Sequence, residues 1–146
     1  MTALMQVCTF RVGPFYCGIP ISAVQEVIQN VTFTRTPLAM GAVSGLAAVR
    51  GDVLTVIDLR TKLHLAPAPQ GLERVTVIVR SSREAIGLWA DAVEDVIEID
   101  GGAGQDPPDT LNSAVRAMIS SVYEAGERLL LLLDPERATE VLETAR

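Results

Sequence analysis

The sequence predicts a mainly β protein of two related halves, each a small, strongly bent sheet of about five strands that ends in a short helix. Three observations carry that prediction. Short apolar runs recur between Gly-, Pro- and Ser-containing turn signals along most of the chain. A segment near the start returns in the second half. The composition is 49% apolar but only 4% aromatic, so the core must be made of Val, Ile, Leu and Ala.

The repeat is specific. Gly18-Ile19-Pro20-Ile21-Ser22-Ala23-Val24-Gln25-Glu26-Val27-Ile28 aligns without gaps on Gly87-Leu88-Trp89-Ala90-Asp91-Ala92-Val93-Glu94-Asp95-Val96-Ile97, with Gly, Ala, Ile and two Val identical. Further on, a strand, Asp58 and a helix are echoed in the same order by a strand, Asp134 and a helix. Two matches in one order point to duplication. Small sheets must hide their edges, and closing each into a barrel does so. Two barrels side by side leave a groove suited to a partner's helix.

Element by element, residues 5–12 and 15–19 flank the Gly13-Pro14 punctuation as a hairpin, and 24–28 is a further short strand after Pro20. Residues 32–45, rich in Thr, Gly and small side chains around Pro37, read as a surface connection. Residues 46–50 and 53–57 flank a Gly51-Asp52 turn. Asp58 is placed to cap a helix over 59–65. Residues 66–71, Ala-Pro-Ala-Pro-Gln-Gly, are the clearest linker. Strands follow at 75–80, 85–90 and 92–99, then a Gly- and Pro-rich loop at 101–109. A last hairpin, 115–123 with 128–133, precedes a helix that opens with Asp134-Pro135. The 146 residues suit a single domain with subdomains near 15–70 and 75–135 and termini packing across the halves.

The charge balance excludes several functions. Asp and Glu outnumber Lys and Arg by 18 to 12, a net charge of −6 with no basic cluster, so no nucleic-acid partner is expected. The leucine run at 129–133 is too short to span a bilayer, and the N-terminus lacks a basic start and a long apolar stretch. A cytoplasmic protein without direct membrane insertion is expected. Cys8 and Cys17 read as small buried hydrophobes, not as a disulfide or a metal site. His64 is the only histidine, with no ligand or nucleophile partner near it in sequence. Gly101-Gly102-Ala103-Gly104 lacks the Lys-Ser/Thr and the helix of a phosphate loop. Glu94, Asp95, Glu98 and Asp100 read as a solvated face. No catalytic residue, metal site or cofactor site is expected, and the chain is read as a non-enzyme.

At Thr34-Arg35-Thr36-Pro37 and Gly45-Leu46-Ala47-Ala48-Val49-Arg50-Gly51 the sequence resembles the CheW family of chemotaxis coupling proteins. The likeness continues through Leu54-Thr55-Val56-Ile57-Asp58-Leu59-Arg60, and upstream through Tyr16-Cys17-Gly18-Ile19 and Val24-Gln25-Glu26-Val27. Downstream it takes in the 87–96 segment and Leu131-Leu132-Leu133-Asp134, so that it covers nearly the whole chain.

The resemblance implies two SH3-like five-stranded β-barrel subdomains and an adaptor role. Such an adaptor joins the cytoplasmic tip of a methyl-accepting chemoreceptor to the regulatory domain of a CheA-type histidine kinase in a signalling array. It further implies receptor contact at Val24, Glu26, Arg50, Val93 and Val96 along the inter-barrel groove, with Glu26 and Arg50 close at its mouth. Val93, Val96 and Ile97 are candidates for the groove's second wall, and alternation requires one parity of them to be core. Kinase contact falls on the first barrel, at Val43, Leu46 and Val49. Ala48 stands where the family has asparagine, and small residues follow Pro37 where it often has a bulky aromatic. Interfaces draw their energy from a few large anchors. An accessory adaptor that binds receptor but has altered kinase docking is therefore an alternative, and a generic SH3-like interaction module is another.

Overall fold

A computed structural model describes residues 4–29, 33–35, 43–81 and 84–140, with backbone alone at 33–35, 43 and 44. Pro37, residues 38–42 and the side chain of Val43 lie outside the described residues.

The first repeat comprises β1 Leu4–Val12, β2 Phe15–Pro20, β3 Val24–Gln29, β4 Phe33–Arg35, β5 Val43–Val49, β6 Asp52–Asp58 and helix α1 Leu59–Lys62. The second comprises β7 Val75–Arg80, β8 Ala85–Ala90, β9 Ala92–Asp100, helix α2 Ser113–Met118, β10 Ile119–Ala125, β11 Arg128–Leu133 and helix α3 Pro135–Ala138. The strands form a five-stranded sheet, β10-β11-β2-β1-β9, and a six-stranded sheet, β3-β7-β8-β6-β5-β4.

Neither sheet is one contiguous half of the chain. The sequence limits 15–70 and 75–135 follow the repeat, whereas the sheets combine 4–20 with 92–133 and 24–58 with 75–90. Each repeat gives its first two strands to one sheet and the rest to the other. The repeated segments found in the sequence are the two places where the chain crosses over, β2 to β3 and β8 to β9.

The duplication holds register for register. Phe10 faces Cys17 in the β1–β2 hairpin, and Val79 faces Ile86 in β7–β8. Parallel pairing sets Leu132 beside Gly18 in one sheet and Val56 beside Gly87 in the other. A register shift falls at matching points, between Val24 and Glu26 on β3 and between Val93 and Val96 on β9. Continuations of β3 and β9 curl round to the far edge of their sheets, where Thr34 pairs Leu46 and Gln105 pairs Val122.

The repeated glycine has a steric cause. A Cβ on Gly18 would stand 2.4 Å from Val7 Cγ1, and one on Gly87 2.8 Å from Thr76 Cγ2. At each, a side chain of the neighbouring strand occupies the space that a Cβ would need.

One core unites the two sheets. Phe10, Cys17 and Ile19 from the five-stranded sheet meet Ile57, Val77 and Leu88 from the other, together with Leu59 and Leu63. A second cluster, with Val7, Tyr16, Tyr123, Leu130 and Leu132, lies on the other face of the five-stranded sheet. The leucine run of β11 is thereby explained: Leu131 and Leu133 enter the shared core, Leu130 and Leu132 the second cluster.

Several local expectations are corrected. Residues 33–35 are β4, paired with 45–47, and β5 begins at Val43, so 32–45 is not merely a connection. Residues 115–118 were expected to open a strand, but the Asn112 side chain caps the Val115 N–H and they belong to a short helix instead. Its Val115 and Met118, one helical turn apart, are both buried. Helix α1 stops at Lys62, short of 65, because His64 takes a left-handed φ of 61°. The N–H groups of His64 and Leu65 then donate to the carbonyls of Thr61 and Arg60, completing a Schellman cap. The β5–β6 turn is Arg50-Gly51, not Gly51-Asp52: both have positive φ, as a two-residue hairpin loop of the primed type requires.

Candidate partner-binding surface

A buried ionic cluster links residues of the two halves at the β8–β9 crossover. Arg60 on α1 grips Asp91, the residue between β8 and β9, through Nε to Oδ1 at 2.9 Å and Nη2 to Oδ2 at 2.7 Å. The Gly13 N–H donates to Asp91 Oδ2 at 2.8 Å, and the Asp91 N–H donates to the Arg11 carbonyl. Arg74 donates to Asp58 Oδ1 at 2.8 Å and to the Trp89 carbonyl, with its guanidinium 4.0 Å over the Trp89 ring. Its Nε, 3.6 Å from Asp91 Oδ1, is an ion-pair neighbour without a hydrogen bond.

Burial alone would raise the Asp91 pKa. Hydrogen bonds from Arg60 and Gly13 and the nearby guanidinium charges outweigh it and hold the carboxyl below its ordinary value. These charges are paired at the crossover, so they fix geometry more than they add net stability. Sequence reasoning read Asp58 as the helix cap, which it is, its Oδ1 accepting from the Arg60 N–H at 2.9 Å, but gave Arg60 and Asp91 only as motif positions. The usable signal was a carboxylate at 91 where the first repeat has Ser22: a charge inside an otherwise apolar crossover needs a partner.

On the surface, Glu26 and Arg50 come together as expected. Arg50 Nε donates to Glu26 Oε1 at 3.2 Å and Oε2 at 3.0 Å, and its Nη2 also bonds Oε2. That hydrogen bond, the largest cause, and the guanidinium charge lower the Glu26 pKa despite some desolvation. The pair links the β5–β6 turn to edge strand β3. Arg50 is 74% exposed and has a φ of 52°, in the left-handed region that side chains seldom adopt.

The other expected receptor residues separate by strand parity. Val24 and Val93, in matching positions of the repeats, are half-buried against the shared core. Val96 is 54% exposed, and its counterpart Val27 is exposed as well. Ile97 packs on the second cluster. Core and surface parity, left open by spacing, are thus assigned.

Of the expected kinase residues, Leu46 and Val49 are on opposite faces of β5. Leu46 is 45% exposed on the outer face with Ala48 and, across the ladder on β6, the 68%-exposed Val53. Val49 is half-buried on the inner parity with Ala47. Leu46 and Val53 therefore form an apolar outer face that Val49 does not join; sequence reasoning missed Val53.

The remaining polar groups are structural in placement. Glu94 is held by Arg11 at 2.8 Å and Arg128 at 3.0 Å, and Arg128 lies 3.7 Å over the Tyr16 ring. Cys8 and Cys17 are buried free thiols; burial, aided by the Asp91 charge, pushes the Cys17 pKa up to about 12. Exposed His64 ends a helix. Among the described residues, no three His, Cys, Asp or Glu side chains are grouped to hold a metal, and no helix is long and apolar enough to cross a membrane.

Comparison with known proteins places the chain. The CheW-like domain matches residues 6–143. A probable chemotaxis protein CheW of Rhizobium etli is 25% identical over 131 residues, 90% of this chain and 84% of the relative. The chemotaxis protein CheW of Helicobacter pylori is 26% identical over 140 residues, 96% and 82% respectively. The crystal structure of scaffolding protein TtCheW from Thermoanaerobacter tengcongensis shares the fold, with a TM-score of 0.82 at 24% identity, over 97% of this chain and 94% of that one.

Proposed function

From the premise that the chain belongs to the CheW-like domain family of non-catalytic chemotaxis scaffolds, we propose that it couples a chemoreceptor to a CheA-type histidine kinase. In this reading it works in the cytoplasm, recruited to receptor clusters, and the receptor's helical tip contacts the surface around Glu26 and Arg50. The observation that carries the reading is the Glu26–Arg50 pair. An exposed ion pair adds little to folding, yet here it is held by an arginine in a left-handed turn conformation. A planar guanidinium already facing a carboxylate at an edge strand is a preformed recognition element. In this reading Val24 and Val93, half-buried in equivalent positions, and exposed Val96 add apolar contact to the receptor surface.

The outer β5–β6 face is the better candidate for the kinase regulatory domain. Leu46 and Val53 give it apolar area, which favours retained docking over the accessory reading, although Ala48 leaves it without a large central anchor. Individual contacts of micromolar strength, about 8 kcal/mol, suffice when repeated in an array.

The test is a pair of pull-downs, against a receptor cytoplasmic tip and against a kinase regulatory domain. Arg50→Ala is expected to lose the receptor and keep the kinase; Val53→Asp and Leu46→Asp are expected to do the reverse. Unchanged receptor capture by Arg50→Ala with an unchanged melting temperature would remove the proposed role of the pair.

A further inference from the structure

The duplication makes each half a control for the other, and one contact fails to repeat. In the six-stranded sheet, Arg50 in the hairpin turn spans the gap to Glu26 on the edge strand. In the five-stranded sheet, register matching places Gly126 at the turn position and Asp95 at the edge-strand position. Gly126 keeps the left-handed backbone, with a φ of 65° against 52° at Arg50, but has no side chain to reach across. Arg128 of the same hairpin reaches Glu94 on the edge strand instead, and a cleft of about 470 Å³ lined by Gly126 and Asp95 lies beside that contact.

The cleft has a definite chemistry. Tyr16, Ile97, Ile99 and Tyr123 line it, and the acidic residues Asp95, Glu98, Asp100 and Glu124 also border it. No ion pair to Asp95, Glu98 or Glu124 is seen among the described residues. The one cation among the cleft residues, Arg128, hydrogen-bonds Glu94 and lies over the Tyr16 ring, and its charge also interacts with Asp95 without a direct ion pair. Asp95 donates and accepts through its backbone, to and from the buried Thr9 hydroxyl, so the strand that carries the carboxylate is held in place.

We propose that this cleft docks a basic segment of a protein partner, with an arginine entering from outside to occupy the position that Arg50 fills in the other half. The intramolecular pair is the template: a guanidinium above this turn meets the matching carboxylate, and here the turn leaves room for one. Apolar side chains flanking the arginine would lie over Ile97 and Tyr123. An arginine fits better than a lysine, because its planar fork can bridge a carboxylate and stack on a neighbouring tyrosine. The cleft does not include Glu26 or Arg50, but it shares strand β9 with Val93 and Val96 of the proposed receptor surface, so its test reads a peptide probe and not receptor capture.

The test uses the full chain, labelled with nitrogen-15, and a capped synthetic peptide of alternating arginine and leucine as the probe. Amide shifts are expected to concentrate at Asp95, Glu98, Glu124 and Gly126. Gly126→Arg fills the cleft from within and is expected to weaken binding roughly tenfold, the loss of one charge-assisted pair. Gln70→Arg, which adds the same charge on the exposed linker, should leave affinity nearly unchanged, and Asp95→Asn should weaken it while the lysine analogue binds less well than the arginine peptide. Equal weakening by Gly126→Arg and Gln70→Arg, or shifts scattered over the acidic surface, would reduce the cleft to general electrostatics and overturn the proposal. If Gly126→Arg unfolds the chain, Asp95→Asn combined with Glu98→Gln decides it by the same readout.

Discussion

Arg60 holds Asp91 by two parallel hydrogen bonds of 2.9 and 2.7 Å, tying the helix that ends the first repeat to the residue at which the second repeat changes sheets. The two side chains are 13% and 8% exposed, so neither is well solvated without the other. Removing one member leaves a buried charge unpaired, which costs about 3–5 kcal/mol, a large part of a domain's stability. Asp91→Ala should lower the urea midpoint accordingly. Replacing both with well-packed apolar residues should recover much of that loss, because the pair's own desolvation disappears with it. Trp89, the only tryptophan, sits against Arg74 in the same cluster and reports both transitions by fluorescence.

The same pair sets a pH dependence. The folded pKa of Asp91 is depressed relative to its unfolded value, near 3.9. Its contribution is therefore complete above that unfolded value and is lost as pH falls through the lower folded one. The stability gap between wild type and Asp91→Asn should be constant from pH 7 to about 5 and should close below about 4. A gap that instead opened on acidification would contradict a carboxylate stabilised in its charged form.

The duplication was legible because it leaves a trace in sequence where a neighbouring side chain fills the space of a Cβ. Gly18 and Gly87 match since both strands are approached closely from a neighbour. The exchange of strands between sheets was not legible. The continuous apolar run of β2 shows a strand buried on both faces, but not whether its parallel neighbour, β11, comes from its own half or from the other. Of the surface, the Glu26–Arg50 pair could be anticipated from a motif likeness. The Asp58–Arg60–Arg74–Asp91 cluster could not, because its members converge only after the crossover.

The glycines separate crowding from backbone strain. Gly18→Ala and Gly87→Ala force a methyl group into Val7 and Thr76 at ordinary φ, and overpacking of this kind costs about 1–3 kcal/mol. Gly18 should suffer more, its contact being the shorter and a second, Leu130 Cδ1, standing at 3.2 Å. Gly51→Ala meets nothing within 4 Å and bears only the penalty of its φ of 87°, about 1 kcal/mol. Equilibrium denaturation of the three variants gives the order directly. A Gly51 variant as unstable as the Gly18 one would mean that space is not what selects the repeated glycine.

Among the described residues, two that are not glycine, Arg50 and His64, occupy left-handed backbone, and they are expected to part company. His64, at a φ of 61°, follows α1 in a cap where glycine is the preferred residue. His64→Gly relieves the Cβ clash and should raise stability by about 0.5–1 kcal/mol, less the greater freedom glycine has when unfolded, with no change in partner capture. Arg50, at a φ of 52°, faces the same backbone preference in its turn, yet its side chain is the one committed to Glu26. Arg50→Gly should fold at least as firmly as wild type in thermal melts while receptor capture falls. If capture survives Arg50→Gly, the strain at the turn serves neither folding nor binding, and the pair is an ordinary surface contact. If capture falls without loss of stability, strain kept at Arg50 is strain kept for recognition, because a glycine there would fold just as well.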